Sequence, residues 1–253
     1  MVMTPETLDL GLQDRTIIVT GAAQGIGRET AAWLAALGAN VVLADIKDCE
    51  AAADNAGNGA RAVKVDMTDP ASIEALLADV AGAGPLYGVV NCAGLLLRRP
   101  LDASTKEEID LQTAVNQTGA FYLARGAMAT MQAQGQGGRI VLYTSQGAFT
   151  GGFHGSIPYA MNKAGVTALV KSLARVGGPH GITVNAVAPG AIDTAMFRGG
   201  LSPQDVADFE KMIPMERIGQ PSEMAGPTAF LMSAWAGYIT GTTLHVNGGQ
   251  LMV

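Results

Sequence analysis

Residues 16–45 read TIIVTGAAQGIGRETAAWLAALGANVVLAD. TIIVT, residues 16–20, is a compact β-branched run of the kind that forms a strand buried on both faces. It runs directly into Gly21-Ala22-Ala23-Gln24-Gly25-Ile26-Gly27. A periodic segment follows, with Ala31, Leu34, Ala35 and Leu37 apolar, and Gly38 stands where a helix C-cap belongs. NVVLAD, residues 40–45, is a second strand. Strand, glycine turn, helix and strand make a βαβ unit. A turn without Cβ atoms lets the backbone approach a pyrophosphate, and the N–H groups of the next helix point at the anion. The same spacing also suits a plain tight turn; the strand before it and the helix after it favour nucleotide binding.

The alternation continues along the chain. Strands are expected at AVKVD (62–66), YGVVNCAG (87–94), GRIVLYTS (138–145), ITVNAVAPG (182–190) and TTLHVNGG (242–249). Thr68-Asp69-Pro70 opens a helix running to about Val80. Residues 105–133 form a long helical region, and another helix runs through Val166, Leu169, Val170 and Leu173. The pattern predicts an α/β fold of Rossmann type: one doubly wound parallel sheet of seven strands with helices on both faces. With no repeat or linker, residues 1–253 are expected to form a single domain.

Composition narrows the function. Hydrophobic residues make up 48% and charged residues 15%, which fits a deeply buried sheet and excludes a disordered chain. A net charge of −6 without a basic block argues against nucleic acid. Cys49 and Cys92 are too few for a disulfide framework or a cysteine metal site, so no metal is expected. No apolar run is long enough for a membrane, and the N-terminus lacks the pattern of a signal peptide. The expectation is a soluble cytoplasmic protein.

Ligands of such sheets bind beyond the carboxyl ends of the strands. Asp45 ends the second strand, where a carboxylate accepts from adenosine ribose hydroxyls and repels a 2′-phosphate. No Lys or Arg stands at Ala22, Ala23 or Ile46 to offset that repulsion, so NAD is expected over NADP. Ser145, Tyr159 and Lys163 supply a hydroxyl, a phenol and an amine. Tyr159 and Lys163 are four residues apart and share one helix face. A nearby ammonium lowers a phenol's pKa from about 10, and the trio can exchange a proton with a carbonyl or alcohol oxygen. Taken alone, the Tyr and Lys also fit an ordinary solvated helix face.

With these motifs in order, the chain resembles the short-chain dehydrogenase/reductase family from about Leu10 to Gly249. TGAAQGIG, NCAG, Asn116 in AVNQTG, Ser145, YAMNK and NAVAPGAIDT each match a family motif. Cys92 departs from it, standing where the family usually has a second Asn; a local adjustment of strand packing is expected. The resemblance implies Tyr159 as general acid/base, with Lys163 lowering its pKa and binding the nicotinamide ribose. Ser145 binds the substrate oxygen, and Asn116 holds a water linking Lys163 to solvent. It implies cofactor contacts from Gly21, Gln24, Gly25, Ile26 and Gly27, from Asp45 and Ile46, and from Asp66 and Met67 at the adenine. Asn91, Ala93 and Gly94 line the ribose and pyrophosphate side, and Pro189, Gly190, Ile192 and Thr194 border the nicotinamide.

By family analogy the substrate pocket draws on Leu95, Leu96, Gln146, Phe153, His154, Met196 and Phe197. That lining suits a secondary alcohol or ketone. His154 either orients a second substrate oxygen or is a loop residue. Arg98 and Arg99 either attract an anion or, the better expectation, form a solvated pair. Residues 195–215, with Gly199-Gly200 and a helix start at Ser202, are expected to be a lid. Family members are commonly tetramers, so a homotetramer is implied. The readings in play are an NAD-dependent alcohol dehydrogenase, an NADP-linked 3-oxoacyl thioester reductase, and a nucleotide sensor without turnover.

Overall fold

Seven parallel strands in the order β3-β2-β1-β4-β5-β6-β7 form the centre of the molecule in a computed structural model that describes residues 9–253. The first eight residues of the predicted polar lead-in, with the signal-peptide reading placed on them, lie outside the described residues. The strands are β1 (Thr16–Thr20), β2 (Asn40–Asp45), β3 (Arg61–Lys64), β4 (Leu86–Asn91), β5 (Gly138–Tyr143), β6 (Ile182–Pro189) and β7 (Thr243–Val246). All six neighbouring pairs are parallel. The order reverses between β1 and β4, and the crevice there is where a doubly wound sheet holds a ligand.

Helices α1 (Gly25–Ala36), α2 (Glu50–Ala56) and α3 (Pro70–Ala83) follow the first three strands. Gly38, at φ +88°, donates to Ala35 O and ends α1 as the sequence predicted. At α3 the Asp69 side chain accepts from Ala71 N at 2.9 Å and Pro70 opens the first turn, the reason the start was legible. Helices α4 (Lys106–Thr113) and α5 (Gly119–Gln134) follow β4; α6 (Gly147–Thr150) and α7 (Ile157–Gly177) follow β5. Two short helices, α8 (Ala195–Arg198) and α9 (Pro203–Lys211), precede α10 (Ala225–Met232).

Each face of the sheet closes over its own core. One packs Ile18, Val89, Ile140 and Val184 against Leu76, Leu123 and Val170 of α3, α5 and α7. The other packs Ile17, Val19, Val41 and Val141 against Leu34 of α1 and Leu231 of α10. Alternate residues of one strand thus serve opposite cores, which is why the strands read as continuous apolar runs. Phe209, Ile213 and Ile218 form a small third cluster beneath α9.

Several boundaries differ from expectation. β3, β4, β5 and β7 end two to three residues early, so Asp66, Gly94, Ser145 and Gly249 lie in the loops beyond them. The ladders stop where polar residues and glycines take over, and Asp66, Gly94 and Ser145 line the cavity at the sheet's edge instead. The helical region expected at 105–133 is interrupted: Ala114–Thr118 is a π turn, with Asn116 in it. α2 is not legible in the sequence because EAAADNA is only seven residues long and carries no large apolar side chain. α10 escaped because Gly226-Pro227 reads as a breaker, yet the proline falls in the first turn, where it is tolerated.

Candidate active site

The crevice is one cavity of about 930 Å³ running across the carboxyl ends of the strands. At one end the glycine turn approaches its neighbours closely. A Cβ on Gly21 would stand 2.6 Å from Ala93 N, and one on Gly27 2.2 Å from Gly21 O. Both neighbours are backbone, so neither position admits a side chain without displacing the turn. Gly25 adopts φ +57°. The result is a bare cradle leading into α1, the geometry a pyrophosphate requires. Asp45 lies beside it, its carboxylate accepting from Ala23 N (3.1 Å) and Lys47 N (3.0 Å). Two backbone donors therefore fix its orientation toward the cavity it lines.

At the other end stand Ser145, Tyr159 and Lys163. Lys163 is held from two sides. Its backbone carbonyl accepts from Thr144 Oγ1 (2.7 Å) and Thr167 Oγ1 (3.1 Å), which bolts α7 to the end of β5. Its Nζ donates to Tyr143 O at 2.7 Å and sits 5.5 Å from the centroid of the Tyr159 ring. Burial pushes the Lys163 ammonium down to about 8. Burial also pushes the Tyr159 phenol up to about 12, and the charge pulling it back is that of Arg98. Lys163 Nζ donates to Tyr143 O, and at the phenol burial outweighs the pull of Arg98. Ser145 Oγ accepts from Gly147 N at 3.1 Å, so the turn into α6 orients the hydroxyl.

Most of the residues expected to meet a dinucleotide line this cavity: Gly21, Gln24, Gly25, Ile26, Gly27, Asp45, Ile46, Asp66, Met67, Ala93, Gly94, Pro189, Gly190, Ile192 and Thr194. Gln146 and Met196 line it as well. Three named residues do not. Asn91 is buried and accepts from Thr20 Oγ1 at 2.6 Å, tying the ends of β1 and β4 together. Asn116 accepts from Leu95 N (2.9 Å) and donates to Leu95 O (2.7 Å), so its side chain clamps the loop after β4. The π turn aims it there, and such turns recur at functional sites. His154, at φ +48°, faces α9 instead: its ring lies 5.3 Å from that of Phe209 and its Nδ1 is 3.7 Å from Asp205 Oδ1.

Of the solvated pair expected at Arg98 and Arg99, Arg99 is exposed and Arg98 is not. Arg99 pairs with Glu108 at 2.6 Å. Arg98 is half-buried in the cavity wall, donating from Nε to Gly199 O (3.0 Å) and from Nη2 to Phe197 O (3.2 Å). Sequence gave no sign of this, because the direction of a loop side chain depends on what packs over it. Arg28 and Lys47 also line the cavity; Lys47 stands only two residues beyond Asp45. Cys92 lines the cavity too, its thiol pushed up by burial, so the departure from the Asn motif leaves an unionised thiol there.

The Enoyl-(Acyl carrier protein) reductase family model matches residues 21–250. The chain is 38% identical over 247 residues to the 3-oxoacyl-(acyl-carrier-protein) reductase FabG of Escherichia coli (strain K12), covering 96% of this chain and 100% of that one. It is 36% identical to the L-rhamnose 1-dehydrogenase (NAD(P)(+)) of Sphingomonas sp. (strain SKA58), over 94% of this chain and 97% of that one. The crystal structure of gox2181 superposes with a TM-score of 0.90 at 32% identity, covering 96% of this chain and 97% of that one. The protein belongs to the short-chain dehydrogenase/reductase family. It is an oxidoreductase of the class that binds a nicotinamide dinucleotide, and the bare cradle and the oriented Asp45 fit that group. Among the described residues, no helix is long and apolar enough to cross a membrane.

Proposed function

We propose that the protein is an NAD-dependent dehydrogenase of secondary alcohols and the corresponding ketones, working in the cytoplasm as a homotetramer. One observation supports the reaction above others: the Tyr159 phenol, the Lys163 amine and the Ser145 hydroxyl line the same cavity as the glycine cradle. NAD, when bound, supplies the acceptor for hydride from the alcohol carbon. Ser145 holds the substrate oxygen. Tyr159 takes the hydroxyl proton as the carbonyl forms and returns it in the reverse direction. Lys163 binds the ribose and, turned from Tyr143 O, brings its charge to the phenol. Asn116 positions the loop after β4 and passes protons from Lys163 to solvent through a water. Gln146 and Met196 border the substrate, and residues 195–215 close over it as a lid on the single domain.

Asp45 supports NAD, since its carboxylate lines the cavity beside the glycine cradle, where it would accept from ribose hydroxyls and repel a phosphate. A second reading, an NADP-linked 3-oxoacyl thioester reductase, draws on Arg28 and Lys47 beside Asp45 and on the name of the Escherichia coli relative. Steady-state comparison separates the two. A kcat/KM higher with NAD on alcohols supports the first; one higher with NADPH on a 3-oxoacyl thioester overturns it. Tyr159→Phe is expected to keep cofactor affinity while kcat falls roughly hundredfold to ten-thousandfold. Undiminished turnover removes Tyr159 from the mechanism.

A further inference from the structure

Arg98 is a cation in an apolar wall. The surrounding stretch of cavity is lined by Leu95, Leu96, Phe153, Met196, Phe197 and Phe209. Its Nε and Nη2 are spent on the carbonyls of Gly199 and Phe197, which fix the plane of the guanidinium. Nη1 has no hydrogen-bond partner among the described residues, and no carboxylate there lies within 4.0 Å of the group. Two carboxylates of the segment that packs on Arg98 are otherwise engaged. Asp205, whose field reaches Arg98, accepts from Ser202 N (2.8 Å) and Ser202 Oγ (2.7 Å) as the cap of α9. Asp193 is paired with Arg198 through both oxygens, at 2.6 and 3.0 Å.

The position is built from several sides. Arg99 N donates to Gly155 O at 3.0 Å, and a Cβ on Gly155 would fall 2.4 Å from Arg99 O. Leu97 N donates to Gln112 Oε1 at 3.1 Å. On the far side, a Cβ on Gly200 would stand 3.4 Å from Arg98 Cδ. The loop bearing Arg98 is thus fixed to α4, to the loop before α7 and to the segment over the cavity. A half-buried guanidinium with no carboxylate in direct contact is under-compensated, and a carboxylate brought to it in apolar surroundings gains more than in water. The fork of Arg suits the planar carboxylate better than the point charge of a lysine. Arg98 also lies within electrostatic reach of the Tyr159 phenol, so one small molecule can meet both.

We infer that Arg98 is an anion subsite, and that the substrate is a hydroxy acid or oxo acid whose carboxylate binds Arg98 while its hydroxyl or carbonyl meets Ser145 and Tyr159. This rests on the dehydrogenase reading and narrows its substrate. The same contact would couple binding to closure, because the guanidinium holding the carboxylate already holds the carbonyls of α8 and its following turn.

The test uses the full-length protein with NAD. Hydroxybutanoate, hydroxypentanoate and hydroxyhexanoate, each hydroxylated on the penultimate carbon and supplied as both enantiomers, are compared with their methyl esters. At least one acid is expected to exceed its ester in kcat/KM by roughly tenfold to hundredfold, the range of a charge-assisted hydrogen bond. Arg98→Gln should abolish that preference mainly through KM, and Arg98→Lys should recover part of it. Wild-type turnover of an ester should also be inhibited competitively by a matching saturated carboxylate, a measurement that needs no variant. Acids and esters used equally well, or an Arg98→Gln loss equal for both, overturns the anion subsite and leaves the dehydrogenase reading standing. No NAD-linked turnover anywhere in the panel overturns both.

Discussion

Lys163 is a cation held where water is scarce. It is 3% exposed, and burial brings its ammonium from 10.5 down to about 8. Between those two pH values the unfolded chain holds a proton that the folded chain lacks, so stability rises with pH across that window. Below about pH 8 the full cost of burying the charge is present. Lys163→Met removes that cost, though it also removes the bond to Tyr143 O. The variant is expected to melt higher than the parent near neutral pH, with the gap closing as pH climbs from about 8 toward 10.5. Thermal melts across that range check it. A gap that is constant, or of opposite sign at neutral pH, would mean that Lys163 is not strained by its surroundings. The side chain is then a case of stability yielded to function.

Among the elements, the π turn at Ala114–Thr118 and the segment from α8 to α9 decide the shape of the site. Beside the π turn, α5 starts against the loop after β3: a Cβ on Gly119 would lie 2.3 Å from Met67 O. The widened turn admits this approach and aims Asn116 at Leu95. The α8–α9 segment has little core of its own. Phe197 and Phe209 pack edge to face at 5.3 Å, and the Ser202–Asp205 capping box starts α9 where the sequence placed a helix start. Gly200, at φ +76°, turns the chain between the two helices. A segment resting on so small a cluster opens at low cost. Limited proteolysis is expected to cut within 195–215 in the free protein and to slow when NAD and a substrate alcohol are both present. Equal cleavage rates with and without them would rule out a closing lid.

The whole molecule presents apolar side chains that a lone chain leaves in water. Leu111 and Phe121, on α4 and α5, are 45% and 41% exposed, and Tyr238, just before β7, is fully exposed. Met252 and Val253 at the C-terminal end are exposed as well. Apolar side chains exposed in this way mark association surfaces, and these are the proposed tetramer contacts. Sedimentation is expected to give a mass about four times the 25.9 kDa of the chain, and Phe121→Asp to shift it toward smaller species. A monomer at micromolar concentration would contradict the tetramer.

The amino-acid order alone determined the architecture and the chemical set. β-branched runs, glycine turns and a Tyr and Lys four residues apart are local patterns, and local patterns survive without knowledge of neighbours. Tertiary structure alone decided which side chains meet. Arg98 is half-buried because the α8 segment packs against it, His154 turned to α9 rather than the cavity, and Asn91 was taken up by Thr20. The state of the phenol was likewise undecidable from spacing, since burial and the partner chosen by Lys163 set it. Contacts between residues far apart in sequence depend on how loops pack and on desolvation, and neither is written in any short stretch of the chain.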